Sequence, residues 1–103
     1  MNELISKLEQ ELGIPFYYIS RKEDEYPAVT YNYRKSFQIS DVNKESSVYD
    51  FYFILIINEN INETVEKFED ILIKNLFRNV TINQSAFTKD NLIQISITAT
   101  KNI

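Results

Sequence analysis

"VYDFYFILIIN", residues 48–58, is the stretch that decides the class of this protein. Its first half alternates around Asp50, and its second half, as far as Ile57, is apolar on both faces. The apolar run 51–57 is far short of the ~20 residues a membrane helix needs, and its aromatic and β-branched content marks a strand. A strand that is apolar on both sides belongs in the middle of a sheet, covered on both faces.

Toward the N-terminus, "EYPAVTYNYRK" (25–35) alternates Ala28, Thr30 and Asn32 against Val29, Tyr31 and Tyr33, which predicts a strand over 26–34. The intervening "KSFQISDVNKESS" (35–47) is mostly polar and predicts a long hairpin loop, with Phe37 and Ile39 able to extend the strand. A loop with so little apolar surface is expected to be mobile in an isolated subunit. Further upstream, Leu4, Ile5, Leu8 and Leu12 fall at helical spacing, so residues 2–12 predict an amphipathic helix. Gly13 suits the left-handed position past its end, and Pro15 prevents continuation. "PFYYIS" (15–20) reads as a short strand, separated from the next by the charged "RKEDE" (21–25).

Toward the C-terminus, Asn60 and Glu63 have the spacing of a capping box. Ile61, Val65, Phe68, Leu72 and Leu76 then recur on one face, predicting the main helix through residue 77. "VTIN" (80–83) and "LIQISITAT" (92–100) predict two strands joined by "QSAFTKDN". In the last strand Ile93, Ile95, Ile97 and Ala99 face one way, and Gln94, Ser96, Thr98 and Thr100 present a polar face to water or a partner. The order α-β-β-β-α-β-β predicts an α+β domain, a mostly antiparallel sheet of about five strands with two helices against one face. Ile54, Ile56, Val65, Phe68, Leu72, Ile95 and Ile97 are its expected shared core.

The 103 residues are expected to form a single domain, 1–103. One Gly and two Pro leave no low-complexity segment or linker. A net charge of −4 disfavours a protein that grips nucleic acid, since that binding draws on clustered Lys and Arg. No Cys is present, which removes disulfides, thiolate metal sites and a cysteine nucleophile. "MNELISKLEQELG" lacks the basic start and apolar core of a signal peptide, so a soluble intracellular protein is expected.

Residue chemistry points away from catalysis. With no His in the chain the commonest general base and metal ligand is missing. Glu23-Asp24-Glu25 and Glu63-Glu66-Glu69-Asp70 are the carboxylate groupings, read as a solvated turn and an exposed helix face. "DVNKESS" begins like a calcium loop, but Ser46 stands where the turn needs Gly and Tyr52 where it needs a bidentate Glu. A single Gly excludes glycine-rich phosphate loops, and the sequons at Asn62, Asn79 and Asn83 are those expected by chance in an Asn-rich chain. Tyr31 and Tyr33 read as packing or a protein interface, because base stacking wants a basic groove beside it. No enzyme activity, metal or cofactor is expected.

The arrangement of "YPAVTYNY" (26–33), a long loop, "VYDFYFILIIN" (48–58) and "NINETVEKFEDILIKNLF" (60–77) resembles the tail terminator, or tail-completion, proteins of long-tailed bacteriophages. The resemblance covers nearly the whole chain, although many relatives carry longer loops or C-terminal segments. It implies a hexameric ring that caps the finished tail tube and forms the surface on which the filled head docks, within the virion after assembly in the bacterial cytoplasm. The implied partners are further copies of the chain, the tail tube protein and a head-completion or neck protein, with DNA passing through unbound and no membrane involved. Tyr31, Tyr33, Arg34, Phe37, Ile39 and Val42 become the expected oligomer or tube interface, and Glu23, Asp24 and Glu25 the expected lumen lining. The small neck proteins between portal and terminator have a similar size and architecture. From a different class stands an acidic inhibitor or immunity-type protein that covers a basic site by charge complementarity.

Overall fold

A computed structural model describes residues 2–20, 26–39, 45–87 and 92–102. The elements run α1 (Asn2–Leu12), β1 (Phe16–Tyr18), β2 (Ala28–Ile39), β3 (Glu45–Ile57), α2 (Ile61–Lys74), β4 (Arg78–Phe87) and β5 (Ile93–Asn102). This is the expected α-β-β-β-α-β-β order. The five strands form one sheet, β1-β2-β3-β5-β4. β1 runs parallel to β2, and every other pairing is antiparallel.

Residues directly opposite each other share a face, so the register sorts the whole sheet. Val29, Leu55 and Ile95 lie in one row, Tyr31, Phe53 and Ile97 in the next, then Tyr33, Phe51 and Ala99. Both helices pack on this face, with Ile5, Leu8 and Leu12 of α1 and Phe68, Ile71 and Leu72 of α2 in one continuous core. Aromatic rings fill its centre. Phe68 meets Phe53 edge-on at 5.3 Å, and Phe77 meets Phe51 likewise at 5.3 Å.

Ile54 and Ile56 belong to the opposite face, which corrects their expected place in the core. Their rows hold Thr30, Ile54 and Ser96, and Ala28, Ile56 and Gln94. Ile56 is buried there, but Ile54 is 38% exposed. Within the uniformly apolar run, periodicity says nothing about which side is inside; the clear alternation of β5 decides it through the register. Neither α1 nor α2 packs on this second face; Ala28, Thr30, Val48 and Ile56 on it are nevertheless buried, and its open part centres on Tyr52 and Ile54.

The hairpin is longer than the sequence predicts. Residues 35–39 and 45–47, read as loop, continue the β2–β3 ribbon, with Phe37 opposite Ser47 and Ile39 opposite Glu45. Polar side chains do not prevent pairing when backbone bonds to a neighbouring strand satisfy each residue. β1 accompanies β2 only at 29–31, and β5 accompanies β3 only as far as Val48. The end of the ribbon therefore projects past both flanking strands. Strands of this length run about 43 Å, and the molecule measures 51 × 24 × 23 Å. Its radius of gyration, 14.6 Å, exceeds the about 13 Å usual for a compact domain of this size.

β4 and β5 are also longer than expected, and β4 is broken by register shifts between Arg78 and Thr81 and between Asn83 and Ala86. Such bulges blunt an edge strand. At the start of α2, Asn60 adopts a left-handed conformation, φ 53, and its side chain makes no cap hydrogen bond, so the expected capping box is absent. The helix stops at Lys74, which takes Leu76 off the buried face; Ile71 and Phe77 fill the place expected for it.

Both helices end in a left-handed residue. Gly13, φ 76, donates its N–H to Glu9 O at 2.9 Å. At the end of α2 the residue is Leu76, φ 67, with Leu76 N–H bonded to Ile73 O and Phe77 N–H to Leu72 O, each at 3.0 Å. The two ends are tied together through Glu11. Its carboxylate accepts from Lys74 Nζ at 2.9 Å and from Asn75 Nδ2 at 3.1 Å. Asn75 Nδ2 also donates to Ile71 O at 2.8 Å, so this buried amide is satisfied. These bonds hold the Glu11 carboxyl below its ordinary value, Asn75 first and Lys74 second, against a smaller opposing effect of burial. Lys101 donates to Asn75 O and lies 5.4 Å from the centre of the Phe77 ring. Burial lowers its pKa, with nearby Lys7 adding to the effect.

Candidate interface surfaces

The expected interface residues do not form one patch. Strand alternation places Tyr31 and Tyr33 on the helix-bearing face and Arg34 on the other. Tyr31 and Tyr33 extend the aromatic core toward its margin. Tyr31 packs 5.4 Å from Tyr18 and 6.4 Å from Phe16, and Tyr33 lies 5.6 Å from both Tyr49 and Phe51. Both are half-buried, and the Tyr31 hydroxyl is pushed above its ordinary pKa by burial, then by Tyr33, Tyr18 and Glu9 around it. These rings anchor the base of the ribbon as much as they face solvent. Phe37 and Ile39 are placed by their backbone pairing in the projecting end of the ribbon. Val42, and Glu23, Asp24 and Glu25, fall outside the described residues.

Arg34 lies on the uncovered face and pairs with Asp50 at 3.6 Å, while Thr100 donates its hydroxyl to the same carboxylate at 2.9 Å. Arg34 is largely exposed, so the ion pair by itself adds little. Asp50, Tyr52, Thr98 and Thr100 line an open groove of about 310 Å³ that reaches the first β4 bulge at Asn79 and Thr81. Tyr52, 44% exposed, stands between Asn32 and Thr98, one row from Ile54. An aromatic and an aliphatic side chain in the middle of a hydroxyl- and amide-rich sheet make a surface suited to another protein.

Two further exposed apolar residues occupy strained backbone. Ile19, φ 70 and 63% exposed, lies at a turn in which Ser20 N–H bonds to Tyr18 O at 2.8 Å. Leu76, φ 67, is 79% exposed. Positive φ is unfavourable for bulky side chains and is ordinarily left to Gly or Asn. The sequence reading missed Ile19, Tyr52, Ile54 and Leu76. Tyr52 and Ile54 had a signal in the polar alternation of β5, which shares their face; the backbone of Ile19 and Leu76 left none.

The carboxylates of α2 are on its solvent side, with Glu63, Glu66 and Asp70 exposed and Glu69 half-buried. Among the described residues no group of three or more Asp or Glu is placed to hold a metal ion, and no helix is long and apolar enough to cross a membrane. No model of a known protein family matches the chain, and no curated protein matches it.

Proposed function

We propose that this chain is a subunit of a homo-oligomeric ring that caps a phage tail tube and forms the interface for head joining. The observation that supports the reading most is the long β2–β3 ribbon rising from a small α+β body, in a molecule 51 Å long and 24 Å thick. An arm of this kind reaches a neighbouring subunit or the end of a tube while the body keeps its own core. The role is structural, without catalysis or cofactor, and the assembly belongs to the tail end or neck of the virion. Hexamer stoichiometry, a lumen lined by Glu23, Asp24 and Glu25, and tube contacts through Tyr31, Tyr33, Arg34, Phe37, Ile39 and Val42 complete the proposal.

Negative-stain imaging of the purified protein, alone and with its tail tube, tests it. Rings in solution and a cap at one end of each tube are the expected result. Rings bound to portal-bearing heads but never to tubes would place the protein in the neck. The exposed acids of α2 favour the inhibitor reading over a ring only if the chain is monomeric and captures a basic protein.

A further inference from the structure

We infer that the ring forms head to tail, the uncovered sheet face of one subunit receiving the C-terminal end of α2, Ile73 and Leu76, from the next. This inference rests on the proposed homo-oligomer and names the surfaces that build it.

Charge separates the two sides of the molecule. The described strand positions on the uncovered face carry Arg34, Arg78 and Asp50 as their charged residues, a net charge of +1 in a chain of −4. Among the described residues, the five other basic and nine other acidic ones do not lie at strand positions of this face. On α2 the exposed Glu66, Asp70 and Ile73 follow one another at helical spacing, so they form a line that leads to Leu76. The acidic turns of this line suit a face whose cations are Arg34 and Arg78, and its apolar end suits Tyr52 and Ile54. Two copies brought sheet to sheet would gain no such complementarity, since each face carries the same net charge of +1.

Size limits the face to one neighbour. Nine residues of four strands span roughly 550 Å² in projection, and the open part of the face, around Tyr52 and Ile54, is smaller because Ala28, Thr30, Val48 and Ile56 on it are buried. A standard interface takes about 800 Å² from each partner. One neighbour covers the face, and there is no room for a second.

Leu76 is the residue that the fold alone does not explain. Phe77 already makes the buried contact with the last turn of α2, and the position calls for glycine, which the same chain uses at the end of α1. A leucine held in left-handed backbone, 79% exposed and near Ile73 at 56%, keeps its side chain available to a partner. Donor and acceptor surfaces on different layers of the subunit make a heterologous contact, which closes into a ring when the rotation allows.

The test uses Tyr52→Arg, which spoils the sheet face, and Leu76→Gly, which removes the side chain at a position that favours glycine. Sedimentation across concentration is the readout, with thermal melting to confirm that both variants fold. Each variant alone is expected to run as a monomer, with at least a tenfold weaker association. An equimolar mixture is expected to form a heterodimer and stop there, because Leu76 of the first variant docks on the intact face of the second. If both variants assemble like the wild type, the interface is elsewhere and the ring survives. If Leu76→Gly dimerises by itself while Tyr52→Arg does not, the contact is sheet to sheet and head-to-tail assembly is overturned. A wild-type chain that stays monomeric at every concentration overturns the homo-oligomer itself.

Discussion

The two faces of the sheet are built from the same strands, yet one is a packed interior and the other a patterned surface. In β3, Phe51, Phe53, Leu55 and Ile57 go to the helix side and are buried, while on the other side Val48 and Ile56 are buried but Tyr52 and Ile54 between them stay exposed. Hydrophobicity along a strand therefore does not locate the core. What locates it is the company each residue keeps across the register: Leu55 lies between Val29 and Ile95, but Ile54 lies between Thr30 and Ser96. An apolar residue set among hydroxyls gains little from its own fold and is available to another molecule.

The largest expected effect probes the packed face at its centre. Phe68 is fully buried and touches Phe53 and Phe16 through ring contacts at 5.3 and 5.8 Å. Phe68→Ala should cost about 3–5 kcal/mol in urea unfolding, through lost burial and the cavity left behind. A loss below about 1 kcal/mol, typical of a surface site, would mean that α2 does not close the core.

Adjacent residues make the sharper comparison. Leu55→Ala should cost about 2–5 kcal/mol, whereas Ile54→Ala, one position along the same strand, should stay within about 1 kcal/mol for the isolated chain. Equal losses would erase the distinction between the faces. If the chain assembles as proposed, Ile54→Ala should instead weaken association, so the same pair of variants separates folding from docking.

Much of this was legible in the sequence. The element order, the two amphipathic helices, the glycine end of α1 and the alternation of β2 and β5 all follow from patterns of period 3.6 or 2 that burial imposes. The face taken by Ile54 was not, because an unbroken apolar run carries no period. The length of the ribbon was legible only in part: Phe37 and Ile39 allowed β2 to extend, whereas the polar residues 45–47 gain their place from backbone pairing, to which their side chains give no clue. The candidate surface was half legible: the polar side of β5 announced an open face, but Tyr52 joins it only through the register. Ile19 and Leu76 stand out only once their backbone angles are known.

A smaller effect of opposite sign comes from the end of α2. Left-handed backbone costs a residue other than glycine about 1–2 kcal/mol, and glycine returns about 0.5–1 kcal/mol of that through its freer unfolded chain. Leu76→Gly should therefore stabilise the monomer by about 0.5–1 kcal/mol, read as a raised urea midpoint. A destabilised variant would show that the leucine contributes to its own fold, which removes the reason for assigning it to a partner.

The smallest effect concerns how the covering layer is held together and is read through pH. Glu11 bridges the ends of α1 and α2, with its carboxyl held below its ordinary value of 4.5 by Asn75 and Lys74. A carboxyl whose pKa is lower in the folded than in the unfolded chain binds fewer protons when folded, so its contribution is complete above the unfolded value and is lost as pH falls through the folded one. Other acids titrate in the same range, so the difference between wild type and Glu11→Gln is the quantity to follow. At pH 7 the wild type should be the more stable of the two, and the gap should narrow steadily below about pH 4.5. A gap that stays constant down to pH 2 would mean that Glu11 acts by shape and hydrogen bonding alone. The two helices would then be joined over the sheet without help from its charge.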